Sequence, residues 1–75
     1  MPKFLRLYKG HIINLDRVSQ IYLDFQYDEF HKRTRDIRWW FEFDTQIAKS
    51  KTFETMEDAF AWFEEHVLPL INETN

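Results

Sequence analysis

The chain has no cysteine. Disulfide staples and most structural zinc sites are thereby excluded. It has one glycine, Gly10, and two prolines, Pro2 and Pro69. A phosphate cradle built on several glycines is excluded with them. No apolar run approaches the ~18 residues that mark a membrane-spanning helix. No repeat, low-complexity segment or Pro/Gly/Ser-rich linker interrupts the sequence, so residues 1–75 read as a single domain. The opening, Met1-Pro2-Lys3-Phe4-Leu5-Arg6, is charged within its first turn and never becomes an apolar signal region. With no cysteine and no such signal, a cytoplasmic protein is expected. Asn72-Glu73-Thr74 matches a glycosylation sequon and is read as chance on the same ground.

What the chain has is rings. Eight Phe, three Tyr and three Trp stand among 75 residues. A domain this small buries only about 60% of its unfolded surface. Each ring can bury roughly 150–250 Å², so a few well-placed ones can sustain a core without staples. Fourteen are hard to hide in so short a chain, so some are expected at the surface or in an interface.

The segment Ile37-Arg38-Trp39-Trp40-Phe41-Glu42-Phe43 carries the clearest pattern. At period two, Ile37, Trp39, Phe41 and Phe43 share one face of a strand, and Arg38, Trp40, Glu42 and Asp44 share the other. The first set is a core face. The second should be solvated, yet it includes Trp40.

Further strands are expected at about 4–8, 11–15, 18–27 and 47–53. Lys9-Gly10 makes the first turn. Asn14 and Asp16 can close turns on their own backbone. The three-residue step from Val18 to Ile21 breaks the alternation and suggests a bulge. Residues 28–36 form a long charged hairpin connection, and Asp44-Thr45-Gln46 turns the chain again. Lys49 and Lys51 suit a protected sheet edge.

One helix is expected over about 56–68, followed by a short C-terminal tail. Thr55 is its N-cap, with Asp58 in the place of a capping-box acid. Met56, Ala59, Phe60, Phe63 and Val67 form its apolar stripe. Pro69 should end the helix near Val67 or kink it there. Strands followed by a helix give an α+β fold. The expected architecture is a curled antiparallel sheet of four or five strands, with the helix packed on one face. Its predicted core is Leu5, Leu7, Ile13, Val18, Ile21, Leu23, Phe25, Trp39, Phe41, Phe43, Phe60, Phe63 and Val67.

Catalytic chemistry finds little material. Ser19 and Ser50 lie in no nucleophile motif, and no carboxylate pair can be shown to converge. His11, His31 and His66 fall in separate elements, with no pair at ligand spacing. No enzyme activity, metal or cofactor is expected.

Charge is unevenly spread. Residues 1–40 hold eight Lys/Arg against five Asp/Glu, and residues 41–75 hold two against eight. The plainer reading is a solvated acidic helix after a mixed sheet, and the sharper one is complementary docking patches. Lys32, Arg33, Arg35 and Arg38 make the only basic concentration, with Phe30 and Trp40 nearby. They are candidate nucleic-acid contacts through the hairpin at 31–38. Asp28, Glu29 and Asp36 surround them, which favours a solvated loop instead. Tyr8, Tyr22, Arg38 and Trp40 are candidate interface residues, because interfaces are enriched in Tyr, Trp and Arg. Cross-strand ladders on a wet face are the plainer account of the same rings.

Gly10-His11-Ile12-Ile13-Asn14-Leu15-Asp16-Arg17-Val18-Ser19-Gln20-Ile21 resembles a step found in small uncharacterised bacterial sheet-plus-helix proteins. The small flagellar regulators of the FlbD type are similar in it. They usually carry a glycine in the next hairpin, where this chain has Asp44-Thr45-Gln46. The Trp39-Trp40 pair and the long basic hairpin also depart from their pattern. The resemblance implies a cytoplasmic accessory protein without enzymatic activity, and not a flagellar role. The expected function is a binding or assembly module, with a homodimer or another protein as partner and no membrane contact.

Overall fold

The computed structural model describes residues 3–28 and 33–72, and side chains within 3–26 and 36–72. Among these described residues the fold is α+β: five antiparallel strands precede one C-terminal helix. The strands are β1 (Phe4–Arg6), β2 (Ile12–Asn14), β3 (Gln20–Asp28), β4 (Arg33–Phe43) and β5 (Gln46–Lys49). They divide into a two-stranded sheet, β1-β2, and a three-stranded sheet, β3-β4-β5.

The division has a local cause. The Asn14 side chain accepts a hydrogen bond from the Asp16 N–H at 2.9 Å and opens a 3₁₀ turn over Leu15–Arg17. That turn redirects the chain before β3, so β2 and β3 never pair. The expected irregularity at Asn14 is therefore present and splits the sheet. Where an irregularity was expected at Val18–Ile21, the Ser19 N–H donates to the carbonyl of Glu42, the residue paired with Gln20, at 2.8 Å, and a bulge lies further along. Between the pairs Asp24/Arg38 and Gln26/Arg35, β4 carries one residue more than β3. The extra turn of backbone is taken by Asp36, at φ 55°. Aspartate tolerates this left-handed conformation better than most residues, and glycine is the usual choice for it.

β5 is shorter than the expected 47–53, but the chain keeps returning to β4. Ser50 is 2% exposed. Its N–H donates to the Trp39 carbonyl and its Oγ accepts from the Trp39 N–H, both at 2.9 Å. Three residues on, the Phe53 N–H donates to the Ile37 carbonyl at 2.8 Å.

The helix begins as expected, with Thr55 Oγ1 accepting from the Asp58 N–H at 3.0 Å. α1 (Met56–Trp62) runs into a wide π turn at Phe63–Val67 and on into α2 (Leu68–Ile71). Pro69 explains the widening. It has no N–H to donate, and its ring would press on the carbonyl four residues back in a regular helix. The turn relaxes so that the Leu68 N–H reaches the Phe63 carbonyl instead. Within α2, Leu70 packs half-buried against the core, whereas Ile71 is exposed.

Both sheets pack on one core. Leu5, Leu7, Ile13 and Leu15 meet Trp39, Phe41, Ala48 and Val67. Ile37 and Ala59 are also fully buried. Val18, Ile21, Leu23, Phe43 and Phe63 are half-buried against that core, and Phe25 is half-buried. Phe60 corrects the expectation. It is 47% exposed and meets Trp39 edge to face, at 5.4 Å between ring centres. The helix instead turns Ala59, Trp62, Phe63 and Val67 inward. Ala59 makes this orientation specific: its carbonyl accepts from the Trp39 indole N–H at 2.9 Å. A larger residue at the contact would hold the helix away from that bond.

Candidate functional site

The outer face of the three-stranded sheet carries the site. Strand register decides its composition. Tyr22 pairs with Trp40, and Trp40 pairs with Lys49. These three residues form one row across β3, β4 and β5. The Tyr22 and Trp40 rings stack at 5.9 Å with 25° between their planes. Lys49 Nζ stands 4.3 Å from the centre of the Trp40 ring. The neighbouring row pairs Asp24 with Arg38, and the other pairs Gln20 with Glu42 and Glu42 with Ile47. Aromatic, cationic and anionic side chains thus alternate over one face.

Trp40 is half-buried by its neighbours, while Tyr22 is 37% exposed. The two tryptophans of the pair differ sharply in hydrogen bonding. The Trp39 indole N–H is matched to Ala59. The Trp40 indole N–H is buried and has no hydrogen-bond partner among the described residues.

Three of the four residues expected at an interface, Tyr22, Arg38 and Trp40, share this face. Tyr8 does not. It is 58% exposed in the turn of the two-stranded sheet, with Lys9 Nζ 5.5 Å from its ring centre. Phe4 and Ile12 are exposed with it on that other sheet. Of the basic set, Lys32 lies outside the described residues. The backbones of Arg33 and Arg35 belong to β4, opposite Asp28 and Gln26, and their side chains lie outside the described residues. Arg38 is the member whose side chain is described, and it joins the ring row.

Lys49 is the residue that sequence reasoning missed. A three-residue turn at Asp44-Thr45-Gln46 does not bring it opposite Trp40. The turn has two residues, Asp44 and Thr45, so Phe43 pairs with Gln46 and Trp40 with Lys49. The signal was the turn length, which sets hairpin register. Asp44 takes φ 51° there and meets Arg17 at 2.9 Å. Both partners are well exposed, so the pair contributes little to stability.

An open groove of about 390 Å³ lies beside the start of β3, walled by Leu15, Val18, Ile21 and Ile71. Among the described residues, no group of three or more His, Asp or Glu is placed to hold a metal ion. Nor is any helix among them long and apolar enough to cross a membrane. No family model matches the chain, and no curated protein or solved structure matches it.

Proposed function

We propose that the chain is a small, cytoplasmic, non-enzymatic binding or assembly module that self-associates through the outer face of its three-stranded sheet. The observation that carries this reading is the Tyr22–Trp40–Lys49 row, on the face opposite the core, with Arg38 beside it. A stacked aromatic pair is rigid, so little side-chain freedom remains to be lost on docking. Tyr, Trp and Arg are also the residues on which interface energies concentrate. The accessory role implied by the resemblance at residues 10–21 agrees with it.

Sedimentation over a concentration series, with circular dichroism as a fold check, tests the proposal. Trp40→Ala should leave the monomer folded and weaken association about thirtyfold, the equivalent of about 2 kcal/mol for a central aromatic anchor. A wild-type chain that stays monomeric at high concentration overturns self-association. Should it then bind single-stranded DNA with a steep loss on adding salt, the function passes to Lys32, Arg33, Arg35 and Arg38.

A further inference from the structure

The two edges of the three-stranded sheet are treated differently. β5 is four residues long and ends in Lys49, after which Ser50 and Phe53 bond back to β4. β3 is nine residues long, Gln20–Asp28, contains neither lysine nor proline, and carries charge only as Asp24 and Asp28. The bulge that could twist it away from a neighbour is on β4, beyond Asp24. Among the described residues, no strand pairs with β3 on its other side. Natural edges usually carry one of these protections, because unpaired backbone groups are a template for another strand.

Trp39 directs both its N–H and its C=O to Ser50, on the β5 side. Backbone direction alternates along an antiparallel strand, so Arg38, Trp40 and Glu42 direct theirs to β3. Their partners Asp24, Tyr22 and Gln20 are engaged with β4. Ile21 and Leu23, which lie between, therefore aim N–H and C=O at the open edge.

We infer that β3 pairs antiparallel with β3 of a second copy of this chain, about a two-fold axis at Tyr22. This names the partner for the self-association proposed above and rests on that self-association, but it places the contact at the β3 edge of the sheet instead of on its outer face. A centre at Asp24 sets two carboxylates against each other. A centre at Leu23 sets each Asp24 against a Tyr22 ring. A centre at Tyr22 does neither. Ile21 of each copy meets Leu23 of the other, completing four backbone hydrogen bonds. Gln20 meets Asp24 of the other copy, an amide against a carboxylate. The two Tyr22 rings meet at the axis, and the row runs unbroken from Lys49 through Trp40 and Tyr22 into the same residues of the second copy. The groove beside Val18 and Ile21 leaves the second strand room to continue past Asp24.

The absence of native cysteine makes the register directly testable. Residues facing each other in a non-hydrogen-bonded antiparallel pair have Cα atoms about 4.5 Å apart, within disulfide reach. Tyr22→Cys should therefore link to itself under mild oxidation. Gln20→Cys and Asp24→Cys should each link poorly alone. Mixed, they should link at least about tenfold better, through the raised effective concentration. The mixture leaves Tyr22 in place, so it stands even if Tyr22→Cys folds badly. Self-linking of Asp24→Cys with none of Tyr22→Cys overturns the inferred pairing. No linking in any arm, with wild type dimeric by sedimentation, overturns edge pairing and leaves the sheet-face reading standing. Linking as expected, with association unchanged by Trp40→Ala, supports edge pairing and overturns the sheet-face reading. Wild type monomeric throughout and no linking overturns both.

Discussion

The same substitution at neighbouring positions should have opposite consequences. Trp39 is 6% exposed, donates its indole N–H to the Ala59 carbonyl at 2.9 Å, and packs 4.4 Å from the Phe63 ring centre. Trp39→Phe removes that hydrogen bond, a net loss of about 1 kcal/mol. It also leaves roughly 40 Å³ unfilled, a further loss of about 1 kcal/mol at about 24 cal/mol per Å³. The sum is about 2 kcal/mol. Trp40→Phe keeps a ring between Tyr22 and Lys49 but removes a buried donor that has no partner among the described residues. Such a donor costs about 1–3 kcal/mol. Against this stands a weaker ring-to-lysine attraction, about 0.5–1 kcal/mol at an exposed site. The net lies between no change and a gain of about 2.5 kcal/mol. In a domain of this size each kcal/mol moves the thermal midpoint by about 4–8 °C. Trp39→Phe should lower it by about 8–16 °C, whereas Trp40→Phe should leave it unchanged or raise it. Thermal unfolding followed by circular dichroism at two protein concentrations measures both and separates folding from association. Equal losses at the two positions, or the larger loss at Trp40, would refute the assignment of one ring to the core and the other to the outer face.

Two further predictions concern the backbone of β4. Ser50→Ala strands the Trp39 N–H in the interior, and urea unfolding should show a loss of about 1–3 kcal/mol; an unchanged midpoint would mean that the hydroxyl is dispensable. At Asp36, Gly should be neutral or stabilising and Val destabilising, separated by about 1–2 kcal/mol in the same assay; equal stabilities would contradict the left-handed bulge.

The strands and helix were legible where one face repeats cleanly. Ile37, Trp39 and Phe41 alternate without interruption, and all three are buried. Thr55 stands immediately before the helical stripe and caps it. What escaped the sequence depends on contacts between elements. Ser50 falls within the strand expected at 47–53, but its spacing does not reveal that its hydroxyl replaces a backbone partner of β4. Phe60 fits the helical stripe on spacing, but the helix is rotated by the bond between Trp39 and the Ala59 carbonyl. Asp36 gave no warning of a bulge, because without glycine in the hairpin the left-handed position falls on an ordinary residue. Trp40 was legible as facing away from the core. Its stacking with Tyr22 and its cover by Lys49 required the register of two hairpins.

The split of the strands into two sheets also bears on how the molecule responds to temperature. Within each sheet, neighbouring strands are held by a hydrogen-bonded ladder. Among the described residues no ladder joins the two sheets, and the joint is made by Leu5, Leu7, Ile13 and Leu15 against Trp39, Phe41 and Ala48. Attraction between apolar groups weakens on cooling, whereas hydrogen-bonded pairing does not share that dependence. Chilling therefore loosens the seam ahead of the ladders. The short N-terminal hairpin is then the part first released from the core in the cold, while the strands that carry Tyr22 and Trp40 stay joined.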